Sequence, residues 1–212
     1  MRLLVLVLTA GIAEPASADD LQLWAELGAK RKLSTRFAVT FDQHLRFDED
    51  ISRVSAVMPE AAVHVEARMF RASAGYRLEY ERDRSGDLVI RHRFHAALRT
   101  RLELEPVRID HRLQLQEQLR PASMDELRHT VRNRIEVSYR GFKRWSLAGS
   151  AEVFHDLDNG DAIHLDKSWL SVGAGYRKSG RDTDVFYRLE LPHHDARSPI
   201  VHIFGAAIHL DL

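Results

Sequence analysis

Apolar and polar residues alternate along most of the chain. Between positions 91 and 104, Arg91, Arg93, His95, Ala97, Arg99, Arg101 and Glu103 share one side of a period of two; His92, Phe94, Ala96, Leu98, Thr100, Leu102 and Leu104 share the other. The pattern resumes after Glu105-Pro106. Val107, Ile109, His111, Leu113 and Leu115 then oppose Arg108, Asp110, Arg112, Gln114 and Gln116. Successive side chains of a strand point to opposite faces, so this stretch predicts a long hairpin with one apolar and one charged face.

The same reading predicts strands over 21–30, 37–47, 61–67, 70–80, 131–139, 145–153, 170–177, 185–191 and 202–212. Short turns are expected near Lys32, Arg68, Pro106, Gly141 and Gly180, and longer loops near Asp50, Ser85, Ser123, Asn159 and Asp195. No segment keeps a helical period, and no linker interrupts residues 19–212, so one all-β domain is expected. The repeating unit is the strand itself.

A soluble sandwich buries its apolar faces, whereas a membrane barrel turns them to lipid and its charged faces inward. Three features favour the barrel. The strands are long enough for the roughly 9–11 tilted residues that cross a bilayer. Short turns alternate with longer loops, as at the two rims of such a barrel. Apolar-face aromatics gather near the short turns, at Phe37, Phe70, Tyr139, Trp145, Tyr176 and Tyr187, with Phe47 and Tyr80 toward the other rim. The apolar faces carry His92, His111, His129, Gln43, Glu117 and Asn133 but no mid-strand arginine. The expected fold is therefore an antiparallel transmembrane β-barrel of about 10–12 strands. Its expected lumen-lining residues are Arg77, Arg91, Arg93, His95, Arg99, Arg101, Arg112, Arg132 and Arg134. An odd strand count would put the first strand's start on the long-loop rim; either a strand between Asp48 and Pro59 is hidden, or residues 21–31 do not span.

Charge and composition narrow the function classes. Lys+Arg and Asp+Glu number 31 each, which argues against a nucleic-acid partner. There is no cysteine, so disulfides cannot frame the fold. Arg2, the apolar Leu3 to Leu8 and the small residues Ala16-Ser17-Ala18 read as a signal peptide over 1–18, cleaved after Ala18. The expected location is the outer membrane of a Gram-negative bacterium, with membrane lipid and the barrel assembly machinery as partners.

Candidate chemistry is sparse. His193-His194-Asp195 could bind a divalent cation, but spacing supplies no third ligand. Asp156 to Asp161 resembles a calcium loop, yet Lys167 stands where the twelfth-position glutamate belongs. His64, Glu66, Ser73 and His95 could neighbour one another, but no nucleophile motif is present. No catalytic residue, metal or cofactor is assigned, and no enzyme is expected.

Several short motifs occur in order: Leu23-Trp24-Ala25-Glu26-Leu27, Gln43-His44-Leu45-Arg46-Phe47, Ala74-Gly75-Tyr76-Arg77, Arg91-His92-Arg93-Phe94, Arg132-Asn133-Arg134 and Glu152-Val153-Phe154. Together they resemble the bacterial domain of unknown function 2490 family over nearly the whole mature chain. The resemblance implies an outer-membrane barrel and supplies no catalytic residue. The expected function is structural, or that of a narrow passive channel with an arginine-rich interior. The alternatives are a barrel enzyme or adhesin acting through its long loops, and a soluble periplasmic sandwich or lipocalin-like binder.

Overall fold

The computed structural model describes residues 20–82, 86–119, 127–157, 163–193 and 198–212. The expected signal peptide falls outside these, as do most of the acidic loop after Asp156 and the His194-Asp195 pair.

Among the described residues, eleven strands form one closed barrel. They are β1 (Asp20–Lys32), β2 (Phe37–Asp48), β3 (Arg53–Ala67), β4 (Phe70–Arg82), β5 (Leu88–Leu104), β6 (Val107–Leu119), β7 (Leu127–Tyr139), β8 (Trp145–Leu157), β9 (Ile163–Lys178), β10 (Arg181–Pro192) and β11 (Val201–Asp211). Each strand pairs antiparallel with its sequence neighbours. The closing pair differs: β1 runs parallel to β11, with Leu23 opposite Phe204 and Leu27 opposite Ile208. This follows from parity, because the first and last strands of an odd up-and-down series point the same way. No additional strand lies between β2 and β3, and β1 is a full strand of the barrel.

The expected long loop near Asp50 is a tight turn of residues 49–52, in which Glu49, Asp50 and Ile51 all take positive φ. Strand β3 therefore begins at Arg53 rather than near 61. Its Pro59 hides this from a sequence reading, because proline cannot donate to a ladder. The chain accommodates it where the pairing of β3 with β4 lapses between Val57 and Glu60. β7 and β9 also begin earlier than the alternation suggests, at Leu127 and Ile163.

The register is strongly staggered. From Leu27 in mid-β1, partners lead through Ile208, Thr183 and Tyr176 to Trp145, the first residue of β8. Such stagger accompanies strand tilt in any closed barrel.

The apolar faces point outward. Leu98 is 46% exposed, Val172 61% and Phe41 55%, while Glu79, Asp110 and Glu152 are buried inside. At the short-turn rim the outward aromatics form contacts, with Trp145 and Tyr176 4.9 Å apart and Tyr139 and Phe142 5.5 Å apart. Tyr187 does not belong to this rim. It lies in mid-β10, opposite Phe204, and shares a 2.6 Å hydrogen bond with His202.

That cluster has a counterpart. Tyr76 stands opposite Phe94 and shares a 2.7 Å hydrogen bond with His92. Tyr-Arg-Leu-Glu occurs at 76–79 and 187–190, and His-x-Phe-x-Ala-Ala at 92–97 and 202–207. The β4–β5 and β10–β11 hairpins hold these segments in the same register, Leu78 facing His92 and Leu189 facing His202. A hairpin-sized repeat thus lies above the strand-level repeat.

One inward aromatic depends on two glycines. Phe186 pairs with Gly173 on one side and Gly205 on the other. A Cβ on Gly205 would lie 2.0 Å from Phe186 Cζ. The ring covers bare backbone that a side chain would otherwise occupy. Gly205→Ala is expected to cost about 1–3 kcal/mol of stability by overpacking. Phe186→Leu in the same chain should restore part of the loss, measured by urea unfolding of the single and double variants.

Candidate functional site: the charged lumen

The inward faces enclose a cavity of about 1640 Å³ that reaches the short-turn rim at Glu105, Pro106 and Arg144. Arg77, Arg93, His95 and Arg99 line it, together with Arg101, Arg112, Arg132 and Arg134. Arg91 occupies the same face of β5 and pairs with Glu81.

Alternation brings four arginines into one row. Arg71 on β4 stands opposite Arg99 on β5, Arg99 opposite Arg112 on β6, and Arg112 opposite Arg134 on β7. Like charges directly opposite each other across strands are destabilising, so such a row needs counter-charge. Glu152, on β8 opposite Arg134, supplies much of it. Its Oε1 accepts 2.8 Å hydrogen bonds from Arg112 and Arg132, and the side chain is 3% exposed. Glu66 pairs with Arg71 at 2.7 Å, and Arg134 with Glu136. Arg99 has no ion pair with any described residue. Below the row, Asp110 accepts from Arg101 at 3.1 Å and pairs with Arg108 at 2.7 Å. Above it, the buried Glu79 accepts from Arg93 at 3.0 Å.

The adjoining wall, from β1 to β5, is richer in acid and imidazole. Glu60 accepts a 2.5 Å hydrogen bond from Arg77 Nε, and His44 reaches Glu26 at 3.0 Å. His95 Nε2 lies 3.7 Å from Glu60 because Gly75 leaves room for its ring; a Cβ on Gly75 would meet His95 Cε1 at 2.4 Å. His64 bonds Thr40 at 3.0 Å. His64, Ser73 and Glu66 do lie close, with Ser73 opposite His64 in register, but no serine–imidazole hydrogen bond forms between them.

A layer of inward aromatics narrows the lumen toward the other rim. Trp24 meets Trp169 edge-on at 5.4 Å, and Trp169 packs on Phe154 at 4.5 Å. Arg46 lies 4.1 Å from the Trp24 ring centre, Arg188 lies 4.3 Å from Trp169, and Arg132 lies 4.5 Å from Phe154. Guanidinium groups stack on aromatic faces through the ring quadrupole. Buried Met58, Ala56 and Ile203 belong to the same apolar layer of inward-facing side chains. Trp169 is anchored by a 2.6 Å hydrogen bond to Glu190. Sequence reasoning missed these aromatics. The signal was their parity: Trp24 is in step with Gln22 and Glu26, and Phe186 with Asp184 and Arg188, on the polar face.

None of the curated proteins matches the chain. Residues 21–191 match the family described as protein of unknown function (DUF2490), so the chain, with its closed barrel and charged interior, belongs to that family.

Proposed function

We propose that the protein is an outer-membrane β-barrel whose lumen is a narrow passage favouring small anions. The observation that carries this is the inversion of faces, with apolar side chains outward around the circumference and ionisable ones inward. A water-filled or ion-paired interior with an apolar exterior suits a barrel in lipid, whereas a lipocalin-like binder needs an apolar interior.

The outward polar groups support the same reading. His111 bonds Asn133 at 3.0 Å, His129 reaches Glu117 at 3.4 Å, and Tyr76 holds His92. Gln43 donates to the His44 carbonyl at 3.0 Å. Hydrocarbon offers no water to satisfy such groups, so lateral pairing keeps them tolerable there.

The preference for anions rests on the arginine row and on Arg99 within it. Arginine rings in a confined pore attract anions and repel cations. Purified protein in planar bilayers is expected to show small conductance with anion preference. Arg99→Glu should reverse the sign of the reversal potential in a salt gradient. A silent bilayer would leave the barrel with a structural role; extraction from cells without detergent would remove the membrane reading.

A further inference from the structure

Closure of the barrel brings together three side chains that are remote in sequence. His209 on β11 stands opposite Gly28 on β1, and Gly28 stands opposite Asp42 on β2. With no side chain at position 28, the two flanking groups lean over the same backbone. A Cβ on Gly28 would lie 2.4 Å from both Asp42 Oδ1 and His209 Nδ1. Glu26 projects from the next inward position of β1. Its Oε1 is 3.4 Å from His209 Nε2, and Asp42 Oδ1 is 3.9 Å from His209 Nδ1. One ligand atom from each residue lies within 4.8 Å of the others.

We infer that Glu26, Asp42 and His209 form a binding site for a divalent transition-metal cation of the zinc type on the lumen wall. Donors of a tetrahedral zinc ion, at roughly 2.0–2.1 Å from the metal, stand about 3.3 Å from one another, so small side-chain movements complete the set. The charge is also right. No lysine or arginine among the described residues forms an ion pair with Glu26 or Asp42, although arginine satisfies many acids elsewhere in the lumen. His44 Nδ1 holds Glu26 Oε2 at 3.0 Å, the oxygen not facing His209. Outer groups of this kind orient ligating carboxylates. All three residues line the cavity, which leaves a further coordination position for water. One imidazole and two carboxylates suit zinc and its neighbours, and are too few oxygens for calcium.

The inference does not depend on the membrane reading, because it requires only the closed barrel. Zinc chloride titrated into the full chain folded in detergent micelles should show one site by calorimetry. His209→Ala and the near-isosteric Asp42→Asn should each weaken binding by at least about tenfold. Gly28→Ala should do the same by pushing Asp42 and His209 apart. His95→Ala, elsewhere in the lumen, should leave binding unchanged, with strand content of each variant checked by circular dichroism. Tenfold excess calcium should not displace the zinc. Absence of a site in the parent chain would overturn the inference and leave His209 as an imidazole bridging two carboxylates. Equal affinity in His209→Ala, equal loss in His95→Ala, or ready displacement by calcium would overturn it as well.

Discussion

Val172→Arg is expected to destabilise the folded protein in lipid by about 2–4 kcal/mol, the cost of an arginine facing hydrocarbon near the midplane. Val172 is 61% exposed in the middle of β9, between Gly149 on β8 and Tyr187 on β10. Were this face wetted, adding a charge to so exposed a position would change stability by no more than about 0.5 kcal/mol. The size of the loss therefore reports the solvent. A rim position supplies the internal control. Phe37 begins β2 at the short-turn rim, where the cost of arginine should fall to about 0–1 kcal/mol. The measurement is equilibrium unfolding of both variants in lipid vesicles. A neutral Val172→Arg would place that face in water and favour a soluble barrel.

The second large effect is expected at Glu152. Its carboxylate receives two guanidinium groups, those of Arg132 on the adjacent β7 and Arg112 on β6, and is almost wholly buried. Glu152→Ala removes the shared counter-charge and leaves two inward arginines facing Arg134 and each other. Breaking a buried ion pair by deleting one partner costs about 3–5 kcal/mol. Glu152→Gln keeps an acceptor and the volume but not the charge, so its loss should be smaller than that of Glu152→Ala. Urea midpoints in micelles decide the order. If Arg112→Leu in the Glu152→Ala background recovers stability, the loss arose from uncompensated charge rather than from the missing side-chain volume.

Much of the fold is legible because alternation is a local property. Leu98 and Arg99 reveal opposite faces from their immediate neighbours alone, and apolar stripes with aromatic ends gave the barrel class. What was not legible depends on partners far away. Nothing near Leu27 indicates that it will lie beside Ile208 and run parallel to it. Pro59 looks like a strand breaker because its tolerance depends on a lapse in the β3–β4 ladder. The inward place of Phe186 requires glycines on two other strands. The paired hairpins at Tyr76 and Tyr187 were readable as a repeated motif, but their equal register became evident only with the strands assembled.

The candidate site divides in the same way. The arginine face was visible from parity, whereas the row formed by Arg71, Arg99, Arg112 and Arg134 depends on register between four strands. Glu26, Asp42 and His209 carry no recognisable spacing, since two of them meet the third only across the closure.

The parallel joint between β1 and β11 makes the barrel a hoop with one distinct clasp. The clasp unites the two ends of the chain, so it closes with the largest loop entropy of any pairing. Parallel ladders are also slightly weaker per residue than antiparallel ones. The hoop should therefore fasten last and loosen first, at a place where Trp24 and Ile203 sit inside and Leu23 and Phe204 outside. An unfastened clasp would present two free edges with the same polarity. A second chain could extend either edge, but only fastening the clasp leaves no edge at all.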